Sequence, residues 1–402
     1  MTEKVKPTTL GKAYKHSVKR WQNFYGYKMP VAFSTPANEV LEALRNVVMF
    51  DISDMLYVVV TGKNVLKFTH KLQIRNFKDI NKISSQKSSG RKMCGKSKYT
   101  FFMKNGFVKE DGMLGFYDGK LIITTNVCLR NEMLNTYNQL ADEIEGVEIA
   151  NCTDSISAIS VQGRNLEKIL TKLFDMELDS FAFTDTKIRG IKNNPIKGNV
   201  NGEIRTVFGK PLVFKLSYGL NGVEIVTDKR DGPRLWNHLL QLGVKPSAQV
   251  ARDLLRMIKG YPLSDKDFGL NEKKTPYELG YGHLVENTEC LGYKNPKRRE
   301  IYKRICFVIG GGTGPLPRRG YKFYDKKGNE LGYVTSGGIT PLPDHEKESL
   351  PIRKKRIGIG YVKEGYESYG NKLYVDIRGK KYETEIKKPP LIKDKDLKKL
   401  NV

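Results

Sequence analysis

Cations interleaved with aromatic rings are the first chemistry in the sequence. Lys87, Arg91, Lys92, Lys96 and Lys98 run into Tyr99 and Phe101, setting phosphate-binding groups beside rings on which bases could stack. Lys297, Arg298, Arg299, Lys303 and Arg304, followed by Arg318 and Arg319, form a second cluster, and Lys15, Lys19 and Arg20 beside Trp21 form a third. One such cluster is ordinarily a solvated face, whereas several together point to a polyanion. Acidic residues offer a different chemistry. Asp111, next to Glu110, reads equally as a catalytic acid or as a turn residue. Glu224 reads on its own as half of a surface ion pair, and Arg252-Asp253 as a charge pair at a helix start. Gly310 to Gly314 suggests a phosphate loop, but no G-K-[ST] ending or helix follows, so a turn is the better reading. His283 has no second His or Cys near it and reads as a packed core residue.

The 402 residues carry 70 Lys+Arg against 44 Asp+Glu, a formal net charge of +26. The excess is local: residues 1–28 carry +6, 63–109 carry +12 and 287–320 carry +6. A hydrophobic content of 39% suffices for packed cores, and the length suits two or three domains. No apolar run approaches the roughly 18–20 residues that cross a bilayer, so no membrane partner is expected. The N-terminus lacks the apolar segment of a secretory signal. The five cysteines are scattered without a C-x-x-C pair, which argues against a metal site and for a reducing, cytoplasmic setting.

The elements that must position these residues follow from periodicity. Helices are expected over 36–47, 65–72, 129–144, 166–174, 233–242 and 248–258, with strands at 56–60, 99–103, 113–117, 120–125 and 157–161. Asn221-Gly222 reads as the turn of a hairpin over 212–227. Residues 1–28 read as a basic arm or short helix, and 81–98, rich in Ser, Lys and Gly, as a basic loop. From about residue 287, short strands between Gly/Pro turns predict a small antiparallel barrel to 386, followed by a Lys-rich tail over 387–402.

Several segments carry a likeness. Leu235 to Leu240, then Ala251-Arg252-Asp253-Leu254-Leu255-Arg256 and Lys259-Gly260, resemble the signature region of the glycine-cleavage T protein, the tetrahydrofolate-dependent aminomethyltransferase. Thr275 to Gly282 is similar to its T-x-P-x-E-A-G-L-G segment, and Met49-Phe50-Asp51-Ile52-Ser53 to its F-D-V-S. Tyr99-Thr100, Asp111, Asn126 and Val161-Gln162-Gly163 fall at matching places. Gly332 to Gly338 resembles the family's G-x-V-T-S-G, and Tyr374 to Lys380 its V-x-V-R-G-K.

The resemblance implies an α+β fold, a three-domain aminomethyltransferase architecture around a central folate-type pocket, with a C-terminal antiparallel β-barrel. Residues 29–286 would form two intertwined α+β domains and 287–386 the barrel. It also implies site residues. Asp111 would serve the folate amines as the proton-handling carboxylate, Glu224 would accept from the pterin edge, and Arg252 would face the folate tail or the pocket carboxylates. Tyr99 and Asn126 would bind the cofactor with them. The chain also departs from the pattern: T-G-E becomes Tyr218-Gly219-Leu220, T-N-D becomes Ile74-Arg75-Asn76, G-L-G becomes Ala248-Gln249-Val250, and the S-H-M histidine becomes Asp54. The connection before Tyr99 is longer by about ten residues, a surface insertion of tolerable length.

These departures, with the basic stretches, set the first expectation: a T-protein-like frame reused as an RNA-binding factor. Its partner would be structured, ribosomal RNA, and its folate chemistry weak or absent. The alternative is a working aminomethyltransferase that binds tetrahydrofolate and meets an acidic lipoyl carrier protein.

Overall fold

The computed structural model describes residues 5–77, 95–175, 182–216, 220–295, 302–311, 314–343, 352–393 and Asp396. Its backbone is a 13-stranded sheet. From one edge the strands run Glu203–Phe208, Ile196–Val200, Glu148–Asn151, Leu56–Thr61, Lys120–Thr125, Phe107–Tyr117 and Gly95–Lys104. They continue through Ala182–Asp185, Leu212–Leu216, Gly222–Asp228, Ile156–Gly163 and Val47–Asp51 to Lys245–Pro246. The last pair, Lys245–Pro246 on Val47–Asp51, is parallel.

Two tight turns fix the register of the central hairpins. Asn105-Gly106 and Asp118-Gly119 all have positive φ, the backbone that two-residue hairpin turns require. They make Phe107–Tyr117 one long strand, paired with Gly95–Lys104 on one side and Lys120–Thr125 on the other. Asp111 therefore lies inside a strand, and the turn reading of this residue is excluded. The run Leu56–Thr61, rich in β-branched residues, is buried over most of its length because helices cover that part of the sheet.

Residues 6–32 are not an extended arm. Lys6–Pro7, Arg20–Phe24 and Tyr27–Ala32 form a separate three-stranded sheet, so a boundary at residue 28 would cut a strand. The aromatics explain why this segment docks: Tyr14 is buried against Trp21, Phe33 and Trp236, and that burial outweighs the solvation of the neighbouring lysines.

The C-terminal strands close into a six-stranded antiparallel barrel, in the order Tyr302–Ile309, Ile352–Lys363, Glu330–Pro343, Lys322–Tyr324, Lys372–Ile377 and Lys380–Lys387. Ile305, Phe307, Phe323, Val334 and Val375 fill its interior. Ile357, Ile359 and Leu342 instead join a core with helices Pro36–Arg45 and Gln249–Lys259, which lie between the barrel and the sheet. Beyond the barrel, Ile392 is buried in this same core and the Leu391 amide donates to Ile258 O. The start of the Lys-rich tail is thus packed back onto the body.

Candidate active site

The strand Phe107–Tyr117 presents Asp111 at the wall of a cavity of about 390 Å³. Tyr99 comes from the paired strand Gly95–Lys104 and donates its hydroxyl to Asp111 Oδ2 at 2.8 Å. Asn126, just after Lys120–Thr125, donates Nδ2 to Asp111 Oδ1 at 2.7 Å and to Glu110 Oε1 at 2.8 Å. Glu110 is fully buried and also accepts from the Asp111 amide at 2.9 Å. Behind it, the Cys128 thiol lies 3.5 Å from Glu110 Oε2.

Burial raises the proton affinity of both acids, and for Glu110 the adjacent Asp111 charge raises it further. The bonds from Tyr99 and Asn126 favour the charged form of Asp111. The pair therefore divides its roles, with Glu110 the member that keeps its proton and Asp111 the one whose carboxyl reaches the cavity. Burial also pushes the Cys128 thiol up, so it is a poor nucleophile.

Arg252 reaches the same cavity from the first turn of helix Gln249–Lys259. Glu39 on helix Pro36–Arg45 sets the start of that helix: its Oε2 accepts from the Ala248 amide at 2.8 Å while Oε1 takes the amides of Phe33 and Ser34. Glu224, from strand Gly222–Asp228, is buried near Arg252 but is not among the residues lining the cavity. Burial raises its proton affinity, and the Arg252 charge acts against that rise.

The opposite wall combines the N-terminal sheet with the segment 261–266. Gln22, Phe24 and Tyr25 face Tyr261, Ser264, Asp265 and Lys266, and the Tyr25 hydroxyl donates to Asp265 Oδ2. The reading of residues 1–28 as a basic arm misses this wall. The family pattern presents Asp54 only as a departure, although Asp54 is buried and lines the cavity. The one available signal for Asp54 was its position directly after Asp51-Ile52-Ser53.

The basic residues have a different fate. Lys87, Arg91, Lys92, Lys297, Arg298 and Arg299 lie outside the described residues. Arg304 turns inward: Nε donates to Leu279 O at 2.7 Å, Nη1 to Gly260 O, and the guanidinium lies 5.2 Å from the Tyr281 ring. Arg319 binds the carbonyls of Asp265 and Asn271 and pairs with Glu272, Lys303 pairs with Glu364, and Lys98 donates to Asn76 O at 2.6 Å. These four cations hold the fold together and are not free phosphate contacts, since nearby carbonyls and carboxylates satisfy them at lower entropic cost. Lys15, Lys19, Arg20, Lys96 and Arg318 are exposed. His283 is exposed too, contrary to its reading as a core residue. Among the described residues no cluster of His, Cys, Asp and Glu could hold a metal.

Comparison with known proteins gives a single answer along the chain. Residues 12–289 match the family model described as the GCVT N-terminal domain, and residues 303–393 match the glycine cleavage T-protein C-terminal barrel domain. An aminomethyltransferase of Phocaeicola vulgatus is 25% identical over 389 residues, covering 93% of this chain and 96% of that protein. One from Thermosipho melanesiensis is 27% identical over 376 residues, covering 92% of each. The crystal structure of glycine cleavage system aminomethyltransferase T from Bartonella henselae superposes with a TM-score of 0.76 over 96% of this chain and 98% of that one, at 18% identity. With both family models matched in order across its length, the chain belongs to the glycine cleavage T-protein family.

Proposed function

We propose that the protein is a tetrahydrofolate-dependent aminomethyltransferase, the alternative of the two sequence-based expectations. The observation that carries this reading is convergence: Tyr99, Asp111, Asn126 and Arg252, from separate elements, line one cavity. Its volume of about 390 Å³ falls within the common range for small-molecule sites. The donor set also fits a reduced folate. Asp111 and Asn126 offer acceptors to amine hydrogens, and the Arg252 side chain, which makes no hydrogen bond or ion pair with a described residue, suits an anionic tail. Tetrahydrofolate, when bound, supplies the amines that accept a one-carbon unit.

The chain's own residues position and handle the proton. Tyr99 and Asn126 fix both Asp111 oxygens, so the carboxylate presents a set orientation to an amine at the cavity wall. Burial raises the proton affinity of Asp111, which makes it a better proton acceptor than an ordinary carboxylate. Glu110, holding its proton, leaves Asp111 as the only charged member of the pair. The aminomethyl donor would be a lipoyl carrier protein, and an acidic carrier would meet the exposed Lys15, Lys19 and Arg20 favourably.

Structured RNA as partner now rests on fewer groups, because Lys98, Lys303, Arg304 and Arg319 are engaged within the fold. Calorimetric titration of the full-length protein with tetrahydrofolate tests the transferase reading. Saturable binding supports it, and no heat at millimolar ligand removes it. Recovery of ribosomal RNA with the native protein, diminishing across a salt series, would instead favour the RNA reading.

A further inference from the structure

Asp54 and Arg252 both line the cavity, and nothing in the transferase reading uses Asp54. The residue follows strand Val47–Asp51 and is 2% exposed, and its Oδ1 has no hydrogen-bond partner among the described residues. Three charged groups face it. From its own strand comes Asp51, whose carboxylate is already occupied by Thr8, Tyr14 and the Ser53 amide. From helix Gln249–Lys259 comes Arg252, and from helix Arg130–Asp142 comes Arg130, which donates to the Tyr27 hydroxyl at 2.6 Å. Burial and the Asp51 charge raise the Asp54 carboxyl to about 7, against the pull of Arg252 and Arg130.

Arg252 itself makes no hydrogen bond or ion pair with a described residue at the edge of the cavity. How strongly it attracts an anion depends on whether Asp54 behind it is charged. An ionised Asp54 offsets the Arg252 field inside a low-dielectric wall, whereas a protonated one leaves that field for the ligand. By linkage, an anion that settles on Arg252 must in turn raise the proton affinity of Asp54.

We propose that Asp54 is a specificity-determining positioning residue that couples proton uptake to the binding of an anionic ligand group at Arg252. This inference rests on the transferase reading, in which the cavity takes a carboxylate-bearing reduced folate. It makes the cavity favour the anionic ligand as pH falls through neutrality and makes it indifferent to pH for a ligand without the tail.

The test is calorimetry of the full-length protein with tetrahydrofolate and with 6-methyltetrahydropterin, which lacks the glutamate tail, in buffers of different ionisation enthalpy. For the wild type, tetrahydrofolate should bind with proton uptake near pH 7, and its Kd should rise about three- to tenfold from pH 6 to pH 8. The tail-free pterin should show neither effect. Asp54→Asn should bind tetrahydrofolate without proton uptake and with a flat pH profile. Binding without proton uptake by the wild type, or uptake that persists in Asp54→Asn, overturns the inference and leaves the transferase reading standing. The wild-type measurement decides the matter even if the variant fails to fold. Absence of binding by both ligands overturns both proposals together.

Discussion

Asn126 Nδ2 lies 2.7 Å from Asp111 Oδ1 and donates to it. The same nitrogen reaches Glu110 Oε1 at 2.8 Å, so one amide holds two neighbouring carboxyl groups. Two buried acids that share a donor repel when both are charged, which makes protonation of one the lower-energy state. The Asp111 amide and Asn126 favour a charged Glu110, but burial and the Asp111 charge outweigh them, while the Tyr99 hydroxyl favours the charged form of Asp111.

Asp111→Asn keeps the shape and removes the titrating oxygen. Under the proposed chemistry, kcat for one-carbon transfer to tetrahydrofolate should fall by about 10²- to 10⁴-fold. The Kd for tetrahydrofolate should change far less, and thermal stability should not fall, because the substitution removes a charge that burial disfavours. Steady-state transfer assays with calorimetry read both quantities. Wild-type kcat in Asp111→Asn would remove Asp111 from the chemistry.

Glu110 supplies a stability prediction with a definite sign. Its folded-state proton affinity is raised, so the native state binds a proton that the unfolded state has lost above roughly pH 4–5. Stability from this group is therefore present at low pH and declines as pH rises through the folded value. Glu110→Gln, which retains the Oε1 acceptor, should flatten that decline, with a Tm above wild type at pH 8 and close to it at pH 5. Differential scanning calorimetry across pH 5–8 checks this, and an unchanged slope would mean that Glu110 is ionised in the native protein.

Much of this frame was legible before the structure. The β-branched run at 56–60 and the Asn-Gly and Asp-Gly turns mark strands through local chemistry, and the strands found there bear it out. The barrel was readable because each strand is bounded by Gly or Pro. Burial set by distant partners was not legible. Arg304 carries the same charge as the exposed Lys15, yet only the fold brings the carbonyls of Leu279 and Gly260 to it. The basic N-terminal segment hid its function in the same way, since Tyr14 finds Trp236 only in three dimensions. Ordered motifs, by contrast, singled out Tyr99, Asp111, Asn126 and Arg252, which line one cavity, but also Glu224, which does not line it.

Arg256 joins the helix that carries Arg252 to the barrel. It bonds Asp253 Oδ1 at 2.8 Å, Asp267 Oδ2 at 2.5 Å, Tyr261 O at 3.0 Å and Ser336 Oγ at 2.8 Å. Although burial opposes it, the pairing with Arg256 and Lys266 holds the Asp253 carboxyl down to about 2. That depressed value contributes stability present above the unfolded value near 4 and lost as pH falls through about 2. Arg256→Met leaves the buried Asp267 carboxylate without its cation and should cost about 3–5 kcal/mol at pH 7 in urea denaturation. The deficit should shrink towards pH 3, and a loss below about 1 kcal/mol would show that the bridge is solvated.

Gly112 lies in a strand and Gly119 in the turn of the same hairpin, and they should fail for different reasons. A Cβ on Gly112 would stand 2.5 Å from Thr124 O and 2.9 Å from Thr125 Cγ2, between Asp111 and the strand that leads to Asn126. A Cβ on Gly119 would meet nothing within 4 Å, but its φ of +70° disfavours any side chain. Gly119→Ala should therefore cost about 1 kcal/mol through backbone strain alone and leave tetrahydrofolate binding intact. Gly112→Ala must push two strands apart, costing about 1–3 kcal/mol of overpacking and displacing Asp111 from Asn126. Its tetrahydrofolate affinity and kcat should both fall, while urea denaturation measures the separate stability losses. Equal effects of the two variants on binding would show that close strand packing at Gly112 does not set the position of Asp111.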